Sequence, residues 1–134
     1  MDNLTITTEL KSHFLRLYQL AMVDGDFSPL EWKMLYKFAE ERNIKKEELD
    51  KILLNPIGEI EIPKKVETRI EYLYDFAKLI WADGIVTDDE ENTLKKFCKK
   101  FEFLDENINE LTKYLLDNAK KDSSLEKILI ELNN

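Results

Sequence analysis

Apolar residues recur along this chain at intervals of three and four, the spacing of one face of a helix, and the runs are separated by short clusters of Gly, Pro, Ser and Asp. Leu10, Phe14, Leu17 and Ala21 form the first stripe, with Ile6 extending it upstream. Gly25 should close this helix, since glycine accepts the left-handed conformation of a helix end. Phe27-Ser28-Pro29-Leu30-Glu31-Trp32 then reads as a helix start. Ser28 and Glu31 are spaced as a capping box, Pro29 occupies the first helical position, and Phe27 and Trp32 are placed to form a hydrophobic staple. Trp32, Leu35, Tyr36 and Ala39 carry this second helix to about Arg42. A short third helix is expected from Lys46 to Leu54, burying Leu49, Ile52 and Leu53.

The segment Asn55 to Pro63 holds two prolines and a glycine and reads as a linker, its Ile57, Ile60 and Ile62 suited to an extended strap on the core. Val66, Ile70, Leu73, Ala77 and Ile80 predict a fourth helix ending at Asp83-Gly84. Tyr72, Phe76 and Leu79 widen its apolar face, so it should be the most buried helix. Thr87 to Glu90 is a second capping box, with acidic residues in the first turn where the helix dipole favours them. Leu94, Phe97, Cys98 and Phe101 mark the fifth helix. Asp105 begins a sixth with Ile108, Leu111, Leu115 and Ala119. Ser123 or Ser124 begins a seventh with Leu125, Ile128, Leu129 and Leu132. The expected fold is all-α, a compact bundle of about seven helices.

Part of the pattern occurs twice. Leu20 to Ile44 returns fifty-nine positions later as Leu79 to Phe103, pairing Asp24 with Asp83, Gly25 with Gly84, Glu31 with Glu90, Leu35 with Leu94 and Phe38 with Phe97. A self-match at fixed spacing predicts a fold built twice from one unit, with a pseudo-two-fold relation between the copies. The expected organisation is one domain over 1–134: a first repeat at 8–54, a linker at 55–63, a second repeat at 64–120 and a C-terminal helix at 123–133.

Composition narrows the function. The net charge of −8 and 36% charged residues argue against non-specific binding of nucleic acid, which needs cations against phosphates, and against docking on anionic lipid. Basic partners and cations are favoured instead. One cysteine and one histidine allow neither a disulfide nor a Cys/His zinc site within the chain. No leader-like N-terminus and no membrane-length apolar run is visible, so a cytoplasmic location is expected.

Each copy of the repeat reads Asp-Gly-x-apolar-(Ser/Thr)-x-x-Glu between two helices, like the second half of an EF-hand loop. Counting back from Glu31 puts loop positions 1 and 3 at Leu20 and Met22; from Glu90 they fall at Leu79 and Trp81. Both leading carboxylates are missing in both copies, so EF-hand calcium chemistry is rejected. With Ala82 to Glu90 and the looser Val23 to Glu31 in view, the chain resembles the TerB-like (tellurite-resistance B) family, whose relatives include the central region of the DjlA-type co-chaperones. The resemblance spans roughly Leu10 to Leu116. It implies a helical bundle with internal pseudo-symmetry, a stress-associated or regulatory role, and acidic positions that bind a divalent metal. Asp24, Glu31, Asp83 and Glu90 are the residues that match. No His-Pro-Asp motif is present, so no J-domain and no direct co-chaperone action is implied.

The metal reading requires the two motifs to face each other. Two carboxylates ~4 Å apart repel by about 4 kcal/mol at an effective dielectric near 20, so four together demand a cation, protons or backbone N–H donors. Oxygen ligands alone would select calcium, magnesium or manganese. The simpler reading has Glu31 and Glu90 completing capping boxes with no ligand at all. Elsewhere His13 is expected as a boundary packing residue, Cys98 as a core thiol, Trp32 and Trp81 as core or boundary anchors, and Lys95, Lys96, Lys99 and Lys100 as a solvated face. No phosphate loop, G-x-S-x-G or Cys-x-x-Cys offers a catalytic constellation. Three functions follow: a non-catalytic binding or regulatory module with a protein partner, a divalent-metal protein with metal-dependent hydrolytic chemistry, and an assembly module with an exposed apolar groove. The third ranks last, because the stripes look no wider than a core requires.

Overall fold

A computed structural model describes residues 7–21, 29–54 and 62–132. Within them the chain forms seven α-helices, α1 (Thr8–Ala21), α2 (Pro29–Glu41), α3 (Lys46–Leu54), α4 (Val66–Ile80), α5 (Asp88–Lys100), α6 (Asp105–Lys120) and α7 (Leu125–Leu132), with a 3-10 turn at Trp81–Asp83 and no strand. The all-α expectation holds and most boundaries fall where the pattern put them. The first capping box and nearly all of the linker lie outside the described residues; of the strap, Ile62 is half-buried against the core and Pro63 is buried.

The helix starts show why. In α5 the Thr87 side chain accepts the Glu90 N–H at 3.1 Å, while Glu90 Oε1 accepts the Thr87 N–H at 3.0 Å, the reciprocal box that the spacing announced. Ser124 Oγ accepts the Lys127 N–H at 3.1 Å and starts α7; Thr7 Oγ1 accepts the Leu10 N–H at 3.1 Å and starts α1.

The helix ends use a device the pattern did not reveal. Gly84 takes a left-handed φ of 80° after the 3-10 turn, as glycine is expected to. The ends of α2, α5 and α6, however, put Asn43, Glu102 and Asp122 in the left-handed region, at φ of 61°, 69° and 57°. In each, the next residue's N–H reaches back five residues: Ile44 to Ala39 at 2.8 Å, Phe103 to Cys98 at 3.2 Å and Ser123 to Asn118 at 2.9 Å. These are Schellman closures, and after the first of them the burial of Ile44 holds a strained backbone in place. Asn43 and Glu102 are themselves a pair at the repeat spacing. Leu35 and Leu94, Phe38 and Phe97, Ala39 and Cys98, and Glu31 and Glu90 are also buried in pairs.

Helix α4 is the axle of the bundle. It packs against α1, α2, α5, α6 and α7, and nine of its fifteen residues are buried, as its wide apolar face predicted. Phe76 is fully enclosed, its ring 4.6 Å from Phe97 and 6.3 Å from Phe101. Tyr74, also enclosed, donates its hydroxyl to the Ser123 carbonyl at 2.5 Å and lies 3.2 Å from that of Asn118, tying the α6–α7 turn to α4. Trp81 is half-buried and donates its indole N–H to the Leu116 carbonyl at 2.8 Å. Two residues counted into apolar stripes do not join the core. Val66 is 55% exposed and Leu132 40%, because among the described residues no neighbouring element covers the ends of α4 and α7 that carry them.

Replacing Asp122 by glycine removes the left-handed strain while leaving the Schellman bonds in place. Asp122→Gly should raise stability by up to about 1 kcal/mol, read as a higher denaturant midpoint with unchanged slope. A lower midpoint would mean that the aspartate side chain outweighs its backbone strain.

Candidate functional site

Of the four acidic residues singled out by the repeat, Asp24 lies outside the described residues, as does the side chain of Asp83, whose backbone closes the 3-10 turn. Glu31 and Glu90 are described, and both are unusually buried for glutamates, at 7% and 5% exposed. Glu90 spends Oε1 on its own helix start, accepting the Thr87 N–H and lying 3.1 Å from the Thr87 hydroxyl. Helix α2, whose first turn carries Glu31 at the end of the first motif, packs against the 3-10 turn at which the second motif begins. Among the described residues no three His, Cys, Asp or Glu side chains gather into a group able to hold a metal ion.

The polar constellation that the structure does assemble was not expected. His13 is completely buried, not at the boundary, because α1 lays it flat on Tyr72 of α4 with ring centres 3.9 Å apart and planes within 7°. Its Nε2 stands 2.7 Å from Asp75 Oδ2. The same oxygen accepts from Arg42 Nη2 at 2.6 Å, and that nitrogen also donates to Glu71 Oε2 at 2.8 Å. Arg42 Nη1 caps α2 by donating to the Phe38 carbonyl at 3.2 Å. Burial disfavours the Arg42 charge, but Asp75 and Glu71 more than offset it and raise its pKa. For His13 burial wins. It pushes the imidazole down to about 4 against the pull of Asp75, with Arg42 and Arg16 adding repulsion. A neutral ring with Nε2–H directed at Asp75 leaves Nδ1 as a buried acceptor, and among the described residues that atom has no hydrogen-bond partner. A histidine beside an aspartate has the parts of an acid–base pair, but His13 is sealed at 0% exposure and no substrate reaches it. Cys98 is likewise enclosed, 3.8 Å from Thr112 Oγ1, and burial raises its thiol to about 11, so it is an inert core thiol as expected.

One accessible feature among the described residues is a groove. Helices α6 and α7 both pack on α4 but scarcely on each other, and α7 at eight residues is only about 12 Å long against about 24 Å for the sixteen of α6. The wedge left between them encloses about 480 Å³. Val66 and Ile70 of α4, Phe103 from the turn before α6, Leu111 of α6, and Leu129 and Leu132 of α7 supply an apolar lining; Glu67, Asn107, Glu110 and Tyr114 complete it. Tyr114 is tied across the wedge by its hydroxyl to Glu131, which fixes α7 at this angle. Leu104 and Ile130, each adjacent in sequence to a lining residue, are 62% and 56% exposed. The stripes on α4 and α7 are therefore wider than the core needs, contrary to the expectation from sequence.

The buried histidine makes stability depend on pH with a definite sign. Its folded pKa of about 4 lies below the ordinary 6.5, so between those values the unfolded chain binds the extra proton. The stabilisation is complete above pH 6.5 and is lost as pH falls towards 4, by up to about 3 kcal/mol. Denaturant unfolding of the wild type and His13→Gln across this window should show the wild-type advantage shrinking with acidity. A constant difference would mean that His13 takes its proton in place.

No family model, no curated protein and no solved structure matches the chain.

Proposed function

We propose that the chain is a non-catalytic, TerB-like binding and regulatory module of the cytoplasm with a stress-associated role, built from two pseudo-two-fold-related copies, and that it docks a segment of another protein between α4, α6 and α7. The observation that carries this reading is the groove, in which exposed Val66 and Leu132 flank an apolar lining open to solvent. Apolar side chains left exposed beside a groove offer a surface that a partner's apolar side chains can cover. The paired burial at the repeat spacing supports the duplication, and the two Asp-Gly motifs support the family. The sealed His13 and Cys98 support a non-catalytic role, since the reactive side chains of the core are out of reach.

A photo-crosslinking side chain at Leu132 should capture a partner that the same group at Lys37, exposed on α2, does not. The captured protein, purified, should bind the wild type and lose at least about tenfold in affinity to Val66→Glu/Leu132→Glu, about 1.4 kcal/mol, with the melting temperature unchanged. Equal capture from both faces, or binding indifferent to the double variant, would remove the groove as the docking site.

A second reading keeps the divalent-metal site, with metal-dependent hydrolytic chemistry. It rests on the burial of Glu31 and Glu90 and on the contact of α2 with the 3-10 turn. Calorimetric titration of chelator-treated protein with calcium, magnesium and manganese tests it. Stoichiometric heat that disappears in Asp24→Asn/Asp83→Asn is the expected result for a metal site. Absence of heat for all three ions would leave the glutamates as helix caps.

A further inference from the structure

Granting the docking groove of the proposed function, we infer that its occupant is an amphipathic helix of another protein with lysine or arginine beside its apolar anchors. The form of the occupant follows from what bounds the groove. Among the described residues there is no strand, so no sheet edge offers backbone hydrogen bonds to an extended peptide. The walls are helices, and the ridge of a further helix, with anchors at i, i+3 or i+4 and i+7, fits a trough between two others.

The charge of the occupant follows from the rim. Ten residues line the groove; Glu67 and Glu110 are carboxylates, both exposed, and none of the ten is basic. A docked helix would cover part of the water around both carboxylates, so a flanking cation is favoured and a flanking carboxylate is penalised. The whole chain, at −8, steers cations the same way.

The two occupants nearest to hand fit poorly. The segment 55–61 carries Glu59 and Glu61 and no basic residue, matching acid to acid. A second copy would bring net charge −8 against −8. Its lysine strip on α5, exposed at Lys96, Lys99 and Lys100, has no exposed apolar residue beside it, since Leu94, Phe97 and Cys98 face the core. Cation and anchor row are both required: α2, α3 and α7 expose an apolar residue beside a lysine, as Leu30 with Lys33, Leu54 with Lys51 and Ile130 with Lys127, but no described helix exposes anchors at i, i+3 or i+4 and i+7.

The test uses three labelled helical peptides of about 18 residues, about 27 Å long, with one leucine face and flanks of lysine, glutamine or glutamate. Their binding is followed by anisotropy, and the site by amide chemical shifts of the intact chain. The lysine peptide should bind roughly threefold to tenfold tighter than the glutamine peptide, and the glutamate peptide weakest, with shifts centred on Ile70, Leu111 and Leu129. Glu67→Lys/Glu110→Lys should reverse that order, whereas the same charge change at exposed Asp88 and Asp89 should leave it intact. Equal binding of the three peptides at the groove, or equal loss with the Asp88 and Asp89 variant, would overturn the charge inference and leave groove docking standing. Shifts elsewhere on the surface would overturn the helix inference. If the peptides fail while the Leu132 crosslink still captures a partner that needs the groove, the occupant is not such a helix. If both fail, the docking reading itself falls. A concentration-dependent dimer abolished by Leu132→Glu would replace the partner with a second copy.

Discussion

Asp75 is a carboxylate in the middle of the most buried helix, and the arrangement of α1 and α2 around α4 is what makes it tolerable. An unpaired buried charge costs several kcal/mol, so the fold is viable only where cationic or hydrogen-bonding groups reach that point. Two do. Arg42 arrives from the end of α2 and His13 from α1, both on Oδ2. The result ties three elements that share no local sequence, and it sets the rotation of α1, since the face that offers His13 to Asp75 also lays it on Tyr72. Arg42 is doubly fixed, because it lies at the Schellman closure of α2 and must also reach Glu71. Replacing the cluster with well-packed apolar residues could be neutral for stability, whereas removing a single partner would not be. Its value is therefore in specifying one packing of α1 and α2 on α4.

This cluster also shows where the sequence stops being informative. Helix existence and boundaries were readable because they rest on local causes: a 3.6-residue apolar period, a capping box at Thr87 and Glu90, and a proline-rich break before Val66. Asp75 sits inside Tyr72-Leu73-Tyr74-Asp75-Phe76-Ala77, and a charge within an otherwise apolar run was a visible signal that a buried cation had to exist elsewhere. Ser12, His13 and Arg16, all buried, gave the matching signal on α1. Reading them together requires knowing that α1 meets α4, and that pairing is set by packing across sixty-two residues of chain. The helix ends were missed for a different reason. Asn43, Glu102 and Asp122 carry left-handed backbone at positions where glycine would be expected, and burial of Ile44 after the first of them compensates in a way that composition does not reveal.

The groove was misread for a third reason. Periodicity reports that Val66, Leu129 and Leu132 lie on apolar stripes, but a stripe is only a demand for cover. Whether it is met depends on the angle between helices. Here Tyr74 anchors the α6–α7 turn on α4, and the Tyr114–Glu131 bond holds α7 beside α6, so the two helices straddle α4 and leave the floor between them open. Asn118 strengthens the hinge, donating its amide to the Tyr114 carbonyl at 2.8 Å and accepting from Ser123 Oγ at 2.8 Å. The exposed surface is thus fixed by a buried polar network at one end and a surface hydrogen bond at the other.

That arrangement separates stability from recognition. The ion-pair cluster and the aromatic core around Phe76 lie on the α1, α2 and α5 sides of α4, while the groove uses its N-terminal end and the side facing α6 and α7. Substitutions at Val66, Glu67, Glu110 and Leu132 alter side chains with substantial exposure, and the core contacts that hold α4 remain. A preformed trough also loses little order when it is filled, so the entropy of docking falls mainly on the incoming segment. In the proposed complex the acidic rim would govern the approach more than the final grip, because exposed charges act over about 8 to 10 Å at physiological salt and change association rates before any apolar contact is made. A module of this design would capture basic, helix-forming segments quickly and release them according to how well their anchors fill the floor between α6 and α7.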